Sequence, residues 1–351
     1  MTNVLNVAWQ QRISATDRKQ HASTARFDWA ATALSGALVG GAYLDAWAHE
    51  NGFVDQSFFT PWHGILYGAM LLVGIFLTIP FARNVLRGYH WRQALPLGYG
   101  LSLLGVLVFA AGGLGDLIWH TLFGIEEGIE ALLSPTHLLL ALGWILIVGG
   151  PFRAAWRQAA SVAQTRPRTL VPAMLSLTWM LATFTFFTIY ASPFVHVLAA
   201  NGAPGGEAAT ALGVVAFLLQ PALLMGVILL AVRRWTLPFG SLLLLLTLNT
   251  ALVATLHDQY LLIAVAVAAG LLADVLLRWL RPSPVRALAF RVFAAAVPMI
   301  VYTLYFGLLL LTAGIGWTTH LWTGTIVLAG AVGLLLSYAF VPPAGPPEAQ
   351  G

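Results

Sequence analysis

Asp116, His120 and His137 are side chains of the kind that bind metal ions, and they lie close together in the sequence. Asp116 and His120 are four residues apart, so on a helix they share one face and lie about 6 Å from each other. Ser134 and Pro135 have the order of a helix start, in which serine caps the helix and proline takes the first helical position. His137 therefore falls in the first turn of the next helix. If the two helices form an antiparallel hairpin, the three side chains converge.

The same arrangement occurs about seventy residues earlier in the chain. Asp45 and His49 are again four residues apart, and Thr60, Pro61 and His63 repeat the cap, the proline and the histidine. The shared pattern is Asp, three residues, His, a loop, then Ser or Thr, Pro, any residue and His. Two copies of one pattern argue against a chance arrangement.

These residues resemble a motif in the C subunit of the particulate methane and ammonia monooxygenases. These monooxygenases are membrane copper enzymes. The first half of the motif, Asp-x-x-Trp-His, is similar to Asp116–His120, and its second half, Thr-Pro-x-His, is similar to Thr60–His63. The first copy has Ala48 where the family has tryptophan, the second has Ser134 in place of threonine, and both loops are longer. The resemblance covers roughly twenty residues per copy. It implies that the acid and the two histidines bind copper in a heteromeric membrane enzyme.

The composition indicates an integral membrane protein. Hydrophobic residues make up 59% of the 351 residues and charged residues 9%, whereas soluble domains keep about a quarter of their residues charged. The formal net charge of +4 does not point to nucleic acid, because the basic residues follow the membrane topology described below. The absence of cysteine excludes disulfides and thiolate metal sites. The expected environment is therefore the lipid bilayer, with a multi-pass position in the plasma membrane.

Ten apolar stretches approach the length that spans a bilayer. The expected fold class is therefore an all-α, polytopic integral membrane helix bundle of about ten transmembrane helices. An even number of spans fits the distribution of charge. The stretches cover residues 28–49, 61–80, 96–119, 136–151, 169–191, 210–231, 237–256, 259–279, 292–313 and 321–341.

All 17 Lys and Arg residues lie in the N-terminal segment or in alternate connections between these stretches. By the positive-inside rule, those connections and both termini are cytoplasmic. Both hairpins then open on the outer side of the membrane, where acidic residues attract cations. These acids are Glu50, Asp55, Glu126, Glu127, Glu130 and Glu207.

The chain divides into four segments. Residues 1–26 form a polar cytoplasmic N-terminal segment, and residues 342–351 form a proline-rich tail that we expect to be disordered. Residues 27–152 form a four-helix part with the duplicated hairpins, and residues 169–341 form a six-helix membrane part. The basic connection between these two parts is the expected seam.

Each Asp-His-His set has two interpretations. One carboxylate and two imidazoles with an open coordination position suit copper, zinc or iron, and ionisable residues at membrane depth are usually functional. Alternatively, each set is a hydrogen-bonded polar cluster that ties two helix ends together without an ion. If both sets bind metal, they form either two sites or one binuclear centre. For the first copy a further alternative is open, namely that it is a degenerate duplicate retained for helix packing. We predict that Asp116, His120 and His137 carry the principal site and that the two hairpins pack as neighbours.

Further polar residues are weaker candidates for a functional role. Glu127 or Glu130 could orient the ligand histidines through hydrogen bonds, although an acidic loop is more often simply solvated. Asp274 is four residues from Arg278, which favours a local ion pair over a proton relay. Several histidines near outer helix ends are weaker ligand candidates, for which a solvated interface position is the alternative: His196, His257 with the neighbouring Asp258, and His320.

Three function classes remain. The first is a copper-dependent oxidase or monooxygenase-like subunit that acts on a small apolar substrate, as the resemblance implies. The second is a metal or proton transporter, although the absence of Cys and of Met clusters argues against copper(I) export. The third is a non-catalytic membrane subunit. Copper is the expected ion, with zinc and iron as alternatives, and both hetero- and homo-oligomeric assembly stay open.

Overall fold

The computed structural model describes residues 21–53, 59–124, 128–158 and 167–343. Within these ranges the chain folds into twelve α-helices and contains no β-strand, so the predicted all-α class is confirmed. In chain order the helices are α1 Ala25–Glu50, α2 Pro61–Leu86, α3 Gly100–Phe123, α4 Ile129–Leu133, α5 Pro135–Val148, α6 Gly150–Arg157, α7 Pro167–Phe186, α8 Glu207–Arg234, α9 Ser241–Ala254, α10 Leu261–Leu280, α11 Ala287–Leu311 and α12 Thr319–Phe340.

Six of these helices are long and apolar enough to cross a membrane, namely α2, α3, α8, α10, α11 and α12. Together, α5 and α6 would form a seventh span, bent by 43° at the break between them. Each of the ten predicted apolar stretches contains a helix, but Leu170–Phe186 and Ser241–His257 are shorter apolar segments, and many residues of α1 are the small Ala and Gly. In the described residues, length and composition therefore indicate a membrane protein with six or seven candidate spans.

Large apolar side chains are exposed on the candidate spans. On α2, Leu71, Leu72, Ile75 and Ile79 share one side of the helix, and they are between 45% and 62% exposed. A continuous apolar surface of this kind is unfavourable in water, whereas the hydrocarbon of a bilayer covers it without cost. The exposed side of α2 is therefore suited to contact with lipid.

The first compact unit, Met1–Phe187, contains α1 to α7 and both Asp-His-His motifs. In this unit, α1 pairs with α2, and α3 pairs with α5. Contacts between α2 and α3 make the two hairpins neighbours, as the duplicated motif predicted. The following helix, α7, packs on α1 and α6. The division of the chain into functional parts at residues 27–152 and 169–341 stays a prediction.

Two glycines bring the backbones of α3 and α5 into contact. A Cβ atom at Gly143 of α5 would lie 2.6 Å from the backbone nitrogen of Phe109 on α3. A Cβ atom at Gly105 of α3 would lie 2.7 Å from the carbonyl oxygen of Gly143. Neither position has room for a methyl group without a backbone shift. The glycines therefore set the distance between the helix that carries Asp116 and the helix that carries His137.

Arg153 stabilises the bend between α5 and α6 through hydrogen bonds. Its Nε donates a hydrogen bond to the carbonyl oxygen of Gly98 at 3.0 Å. One terminal guanidinium nitrogen donates to Ser102 Oγ at 2.9 Å and to the carbonyl oxygen of Leu146 at 2.6 Å. Leu146 lies in the last turn of α5, where carbonyl groups lack partners within the helix. The arginine thus ties the end of α5 to the start of α3.

A second polar contact joins α1 to the start of α3. The Tyr99 hydroxyl donates to Asp28 Oδ1 at 2.6 Å, and Ser23 Oγ donates to Asp28 Oδ2 at 2.9 Å. The phenol must be the donor in this contact, because a carboxylate oxygen can only accept. The phenol therefore stays protonated and remains a hydrogen-bond donor to Asp28.

The second compact unit, Thr188–Gly351, contains α8 to α12. Within it, Asp274 of α10 is fully buried and caps the neighbouring helix α9. Its two oxygens accept hydrogen bonds from three backbone N–H groups at the start of α9, which satisfies donors that have no partner within that helix. These donors are Gly240 at 3.0 Å, Leu242 at 3.2 Å and Leu243 at 3.0 Å.

The sequence favoured an ion pair between Asp274 and Arg278, whereas in the structure the carboxylate of Asp274 caps α9. The guanidinium of Arg278 lies over the ring of Phe239, 4.8 Å from its centre. The spacing of Asp274 and Arg278 on one helix is correct for a pair, but the sequence does not show which helix end lies beside α10.

We expect Asp274→Asn to destabilise the protein by about 1–3 kcal/mol. The amide NH2 would face backbone N–H donors at one of the two oxygen positions, so at least one buried donor would lose its acceptor. Thermal unfolding in detergent, followed by circular dichroism, measures the change. Asp258→Asn is the matched control because Asp258 is exposed and its Oδ1 accepts a hydrogen bond from the hydroxyl of the exposed Tyr260. An unchanged midpoint in Asp274→Asn would contradict the capping role.

Candidate metal centres

Asp116, His120 and His137, which we call set B, meet where α3 ends and α5 begins. Asp116 and His120 lie in the last turns of α3, and His137 lies in the first turn of α5. Ser134 accepts a hydrogen bond from the backbone nitrogen of His137 at 3.4 Å, and Pro135 occupies the first turn of α5. The helix start predicted from the sequence is therefore confirmed.

The three side chains of set B converge on the Asp116 carboxylate. Nε2 of His120 lies 3.4 Å from Asp116 Oδ2, and Nε2 of His137 lies 3.5 Å from Asp116 Oδ1. One candidate ligand atom of each residue lies within 4.8 Å of the others. The Asp116 side chain is 2% exposed, whereas those of His120 and His137 are 13% and 24% exposed. The acid is thus the most deeply buried member of the set.

A backbone carbonyl fixes the protonation of His120. Its Nδ1 lies 3.2 Å from the carbonyl oxygen of Gly124. A carbonyl oxygen can only accept a hydrogen bond, so Nδ1 carries the proton and donates it. In a neutral imidazole the lone pair is then on Nε2, the atom that faces Asp116. This is the arrangement usual for histidines that bind metal ions through Nε2.

A chain of hydroxyl groups connects Asp116 to His137. The Thr136 hydroxyl donates to Asp116 Oδ1 at 3.0 Å, because a carboxylate oxygen can only accept. The Ser134 hydroxyl lies 3.2 Å from Thr136 Oγ1 and 2.6 Å from Nδ1 of His137. The tautomer of the imidazole decides whether Ser134 donates to Nδ1 or accepts from it. Nε2 of His137, the other ring nitrogen, faces Asp116.

The geometry of set B is compatible with a shared metal ion. An imidazole lone pair directed at a carboxylate, as at Nε2 of His120, is repelled unless a cation lies between them. A charge-assisted hydrogen bond from an imidazolium would bring nitrogen and oxygen to about 2.7–2.9 Å, shorter than the 3.4 and 3.5 Å here. Ligand atoms that share one tetrahedral ion at about 2.1 Å lie about 3.4 Å apart. The spacing in set B fits shared coordination.

Asp45, His49 and His63, which we call set A, form the corresponding group between α1 and α2. Nε2 of His49 lies 3.9 Å from Asp45 Oδ2, and Nδ1 of His63 lies 3.5 Å from Asp45 Oδ1. Thr60 caps α2 by accepting from the backbone nitrogen of His63 at 3.1 Å. One candidate ligand atom of each residue again lies within 4.8 Å of the others.

Set A is more open than set B and less completely hydrogen-bonded. The side chain of His49 is 39% exposed. Asp45 Oδ1 is buried and accepts no hydrogen bond, although it faces His63. A buried carboxylate oxygen without a hydrogen bond is costly, and a bound cation would satisfy it. Set A therefore has the residues of a metal site with a smaller supporting network.

Tyr67 connects the two sets. Its ring lies nearly parallel to that of His63, at 15° and 6.2 Å between centres. The ring also packs over Gly113 of α3, where a Cβ atom would lie 2.7 Å from Cε1 and 2.9 Å from the hydroxyl oxygen. The charges of Asp45 and Asp116 both act on this phenol, and Asp116 acts on Asp45 directly. The two sets are therefore close enough to interact electrostatically.

The remaining sequence candidates do not join either set among the described residues. Glu126, Glu127 and Asp55 lie outside the described residues. Glu130 is exposed on α4, and His320 is exposed in the first turn of α12. His196 and His257 contact each other in the second unit.

Sequence reasoning missed three contributors to the sites. Tyr67 is four residues after His63, and this spacing alone would have placed both on one helix face. Thr136 lies within the recognised Ser-Pro-Thr-His stretch, but its bond to Asp116 depends on the pairing of α3 with α5. The Gly124 carbonyl that orients His120 is a backbone group, so no residue type signals it.

Comparison of the chain with protein-family models, curated proteins and solved structures gave no match. The resemblance to the monooxygenase C subunit therefore rests on the motif residues alone. The described part of the chain is therefore an all-helical protein with six or seven candidate membrane spans and two Asp-His-His groups at metal-binding distance.

We expect Thr136→Val to lower the metal affinity of set B by about 10- to 100-fold. Valine keeps the shape of threonine but cannot donate to Asp116 Oδ1, so the carboxylate loses the bond that orients it. Equilibrium dialysis of the purified protein against buffered metal measures the affinity. Thr121→Val is the matched control because the Thr121 hydroxyl donates to the Leu117 carbonyl oxygen of its own helix, outside set B. Equal affinities in both variants would show that the hydroxyl chain does not support the site.

Proposed function

We propose that the chain is a membrane metalloprotein that holds transition-metal ions at set A and set B. The observation that carries this proposal is the convergence of Nε2 of His120 and Nε2 of His137 on one buried carboxylate at 3.4 and 3.5 Å. The unbonded Asp45 Oδ1 supports the same role for set A. The duplicated motif gives both sets the same ligand types.

Copper is the ion that we propose, ahead of zinc and iron. A carboxylate and two imidazoles accept all three ions, so the ligand set does not distinguish them. The resemblance of the motif to the monooxygenase C subunit favours copper. Because α2 and α3 are neighbours and the charges of Asp45 and Asp116 interact, two ions bound at the sets would lie near each other.

We propose a copper-dependent oxidase or monooxygenase-like activity on a small apolar substrate. Three protein ligands leave an open coordination position at each ion, and the exposed apolar side of α2 gives apolar molecules access from the lipid. Copper would supply the redox chemistry when bound. The residues of the chain hold the ligands in place: Thr136 orients the Asp116 carboxylate, and Ser134 positions the His137 ring. Partner subunits or a second copy of the chain are implied by the resemblance.

Metal analysis of the detergent-purified protein tests the metalloprotein proposal. We expect one or two copper ions per chain after reconstitution, with nitrogen hyperfine structure in the copper(II) EPR spectrum from the imidazoles. Zinc or iron in place of copper would overturn the choice of ion. Protein that stays metal-free after reconstitution with copper, zinc and iron would favour the polar-cluster interpretation.

We also propose ten spans with both termini cytoplasmic, in the plasma membrane. The support is that all 17 Lys and Arg residues occupy one set of connections. Because the chain has no cysteine, a single introduced cysteine reports its own side. Asn51→Cys should react with an impermeant thiol reagent in intact cells, whereas Val285→Cys, which is at a 92% exposed position, should react only after lysis. The reverse labelling would overturn the outward orientation of both sets.

A further inference from the structure

His196 and His257 form a pair of imidazoles in the second unit. Their ring centres are 5.3 Å apart, and the ring planes are tilted by 54°. Two imidazoles that bind one tetrahedral ion through nitrogen at about 2.1 Å place their ring centres about 5 Å apart. The two histidine rings of set A are 5.6 Å apart and those of set B are 6.0 Å apart. The pair is closer to the spacing of shared coordination than either set.

The backbone that carries His196 is anchored in the core of the unit. The amide nitrogen of Gln220 on α8 donates to the carbonyl oxygen of Ala191 at 3.0 Å and to Thr188 Oγ1 at 3.1 Å. The backbone nitrogen of His196 donates to the carbonyl oxygen of Ser192 at 2.9 Å. Ala191 and Ser192 are buried, whereas His196 is exposed. The exposed imidazole is therefore carried on a fixed backbone.

His257 is held at the end of the 3-10 turn Thr255–His257. The next residue, Asp258, has φ of 55°, a left-handed conformation that ends the turn. The side chain of Gln259 donates a hydrogen bond to the carbonyl oxygen of His257 at 3.2 Å. The backbone nitrogen of Gln259 donates to the carbonyl oxygen of Ala254 at 2.8 Å. Two separate, hydrogen-bonded segments thus bring the histidines together.

The charges near the pair suit a cation. Neither residues 187–206 nor residues 255–260 contain Lys or Arg. Asp258, directly after His257, adds a negative charge, and its Oδ1 accepts a hydrogen bond from the Tyr260 hydroxyl at 2.7 Å. A divalent ion at the pair would therefore meet no positively charged side chain of these two segments.

We propose that His196 and His257 together bind one divalent transition-metal ion, such as Zn2+ or Cu2+, with water in the remaining coordination positions. Imidazole nitrogen suits both ions. Among the described residues, only sets A and B bring three such ligand residues together, so the pair binds its ion more weakly than they do. This site is independent of the proposed function of sets A and B.

Carbethoxylation with diethyl pyrocarbonate, followed by mass spectrometry, tests the pair in the full-length purified protein. The reagent modifies imidazole nitrogen, and a bound ion blocks it. With zinc chloride as the probe at a free concentration about ten times the Kd, we expect the modification of His196 and His257 to slow about tenfold. Both residues should become protected at the same zinc concentration. His320, exposed on α12, is the internal control and should react at an unchanged rate.

His257→Asn supplies the decisive comparison, because one ion shared by two histidines requires both. We expect the substitution to abolish the protection of His196 by zinc, and His196→Asn to abolish that of His257. His137→Ala should leave the protection of both intact, which separates this site from set B. Zinc protection of His196 that persists in His257→Asn would overturn the proposal, and so would equal reactivity of both histidines with and without zinc. The reciprocal variant keeps the test decisive if one of the two fails to fold.

Discussion

His137→Ala is expected to lower the affinity of set B for its metal by more than about 100-fold. Loss of a hydrogen bond to a ligand already costs about 10- to 100-fold in metal affinity, and this substitution deletes a ligand. Water would fill the vacant coordination position, but it brings neither the basicity of imidazole nor the fixed position that Ser134 and Thr136 impose. Equilibrium dialysis and metal analysis of the purified variant measure the loss.

Two further variants control this experiment. His90→Ala removes an exposed histidine that contacts Trp91 and lies outside both sets, so bound metal should not change. Asp116→Asn keeps the shape of the acid but replaces the carboxylate with a much weaker ligand for a divalent ion, so metal should be lost as in His137→Ala. Full metal content in folded His137→Ala and Asp116→Asn proteins would show that set B is a polar cluster.

His63→Ala distinguishes separate sites from one shared centre. Because set A has its own carboxylate, we expect this variant to lose one ion and set B to keep the other. The EPR spectrum of the remaining copper should change, since Asp45, Tyr67 and Asp116 interact electrostatically. Loss of both ions would instead indicate a single binuclear centre.

The local parts of the sites could be predicted from the sequence because they depend on helix geometry. Two residues four apart share a helix face whatever the rest of the fold does. Ser134 and Thr60 were predictable as caps because a hydroxyl next to proline is a strong signal for a helix start. With the pairing of the two helices in each hairpin, these two features bring each acid together with its two histidines.

The parts that the sequence did not predict depend on which elements become neighbours. Asp274 caps α9 only because α10 lies beside it, and Tyr67 packs over Gly113 only because α2 contacts α3. The number of helices that can cross a membrane also depends on more than the apolar pattern. The bend of 43° between α5 and α6 interrupts one apolar stretch. The many small residues of α1 lower the hydropathy of that helix.

Gly143→Ala is expected both to destabilise the protein and to weaken metal binding at set B. The new methyl group would lie 2.6 Å from the backbone nitrogen of Phe109, so one helix backbone must move. Overpacking of this kind typically costs about 1–3 kcal/mol. Because α3 carries Asp116 and α5 carries His137, the same shift should also weaken metal binding at set B. Thermal unfolding and metal dialysis measure the two effects on one preparation.

Gly68→Ala is the matched control for this prediction. Gly68 lies within α2, and a Cβ atom there would meet nothing within 4 Å. Alanine favours a helix over glycine by up to about 1 kcal/mol, so this variant should unfold at the same or a higher temperature and keep its metal. If Gly143→Ala instead matched Gly68→Ala in both measurements, the close contact of α3 and α5 would not be what positions His137 against Asp116. Loss of stability with unchanged metal affinity would also contradict the coupling, because the three ligands would then hold their geometry independently of the helix spacing.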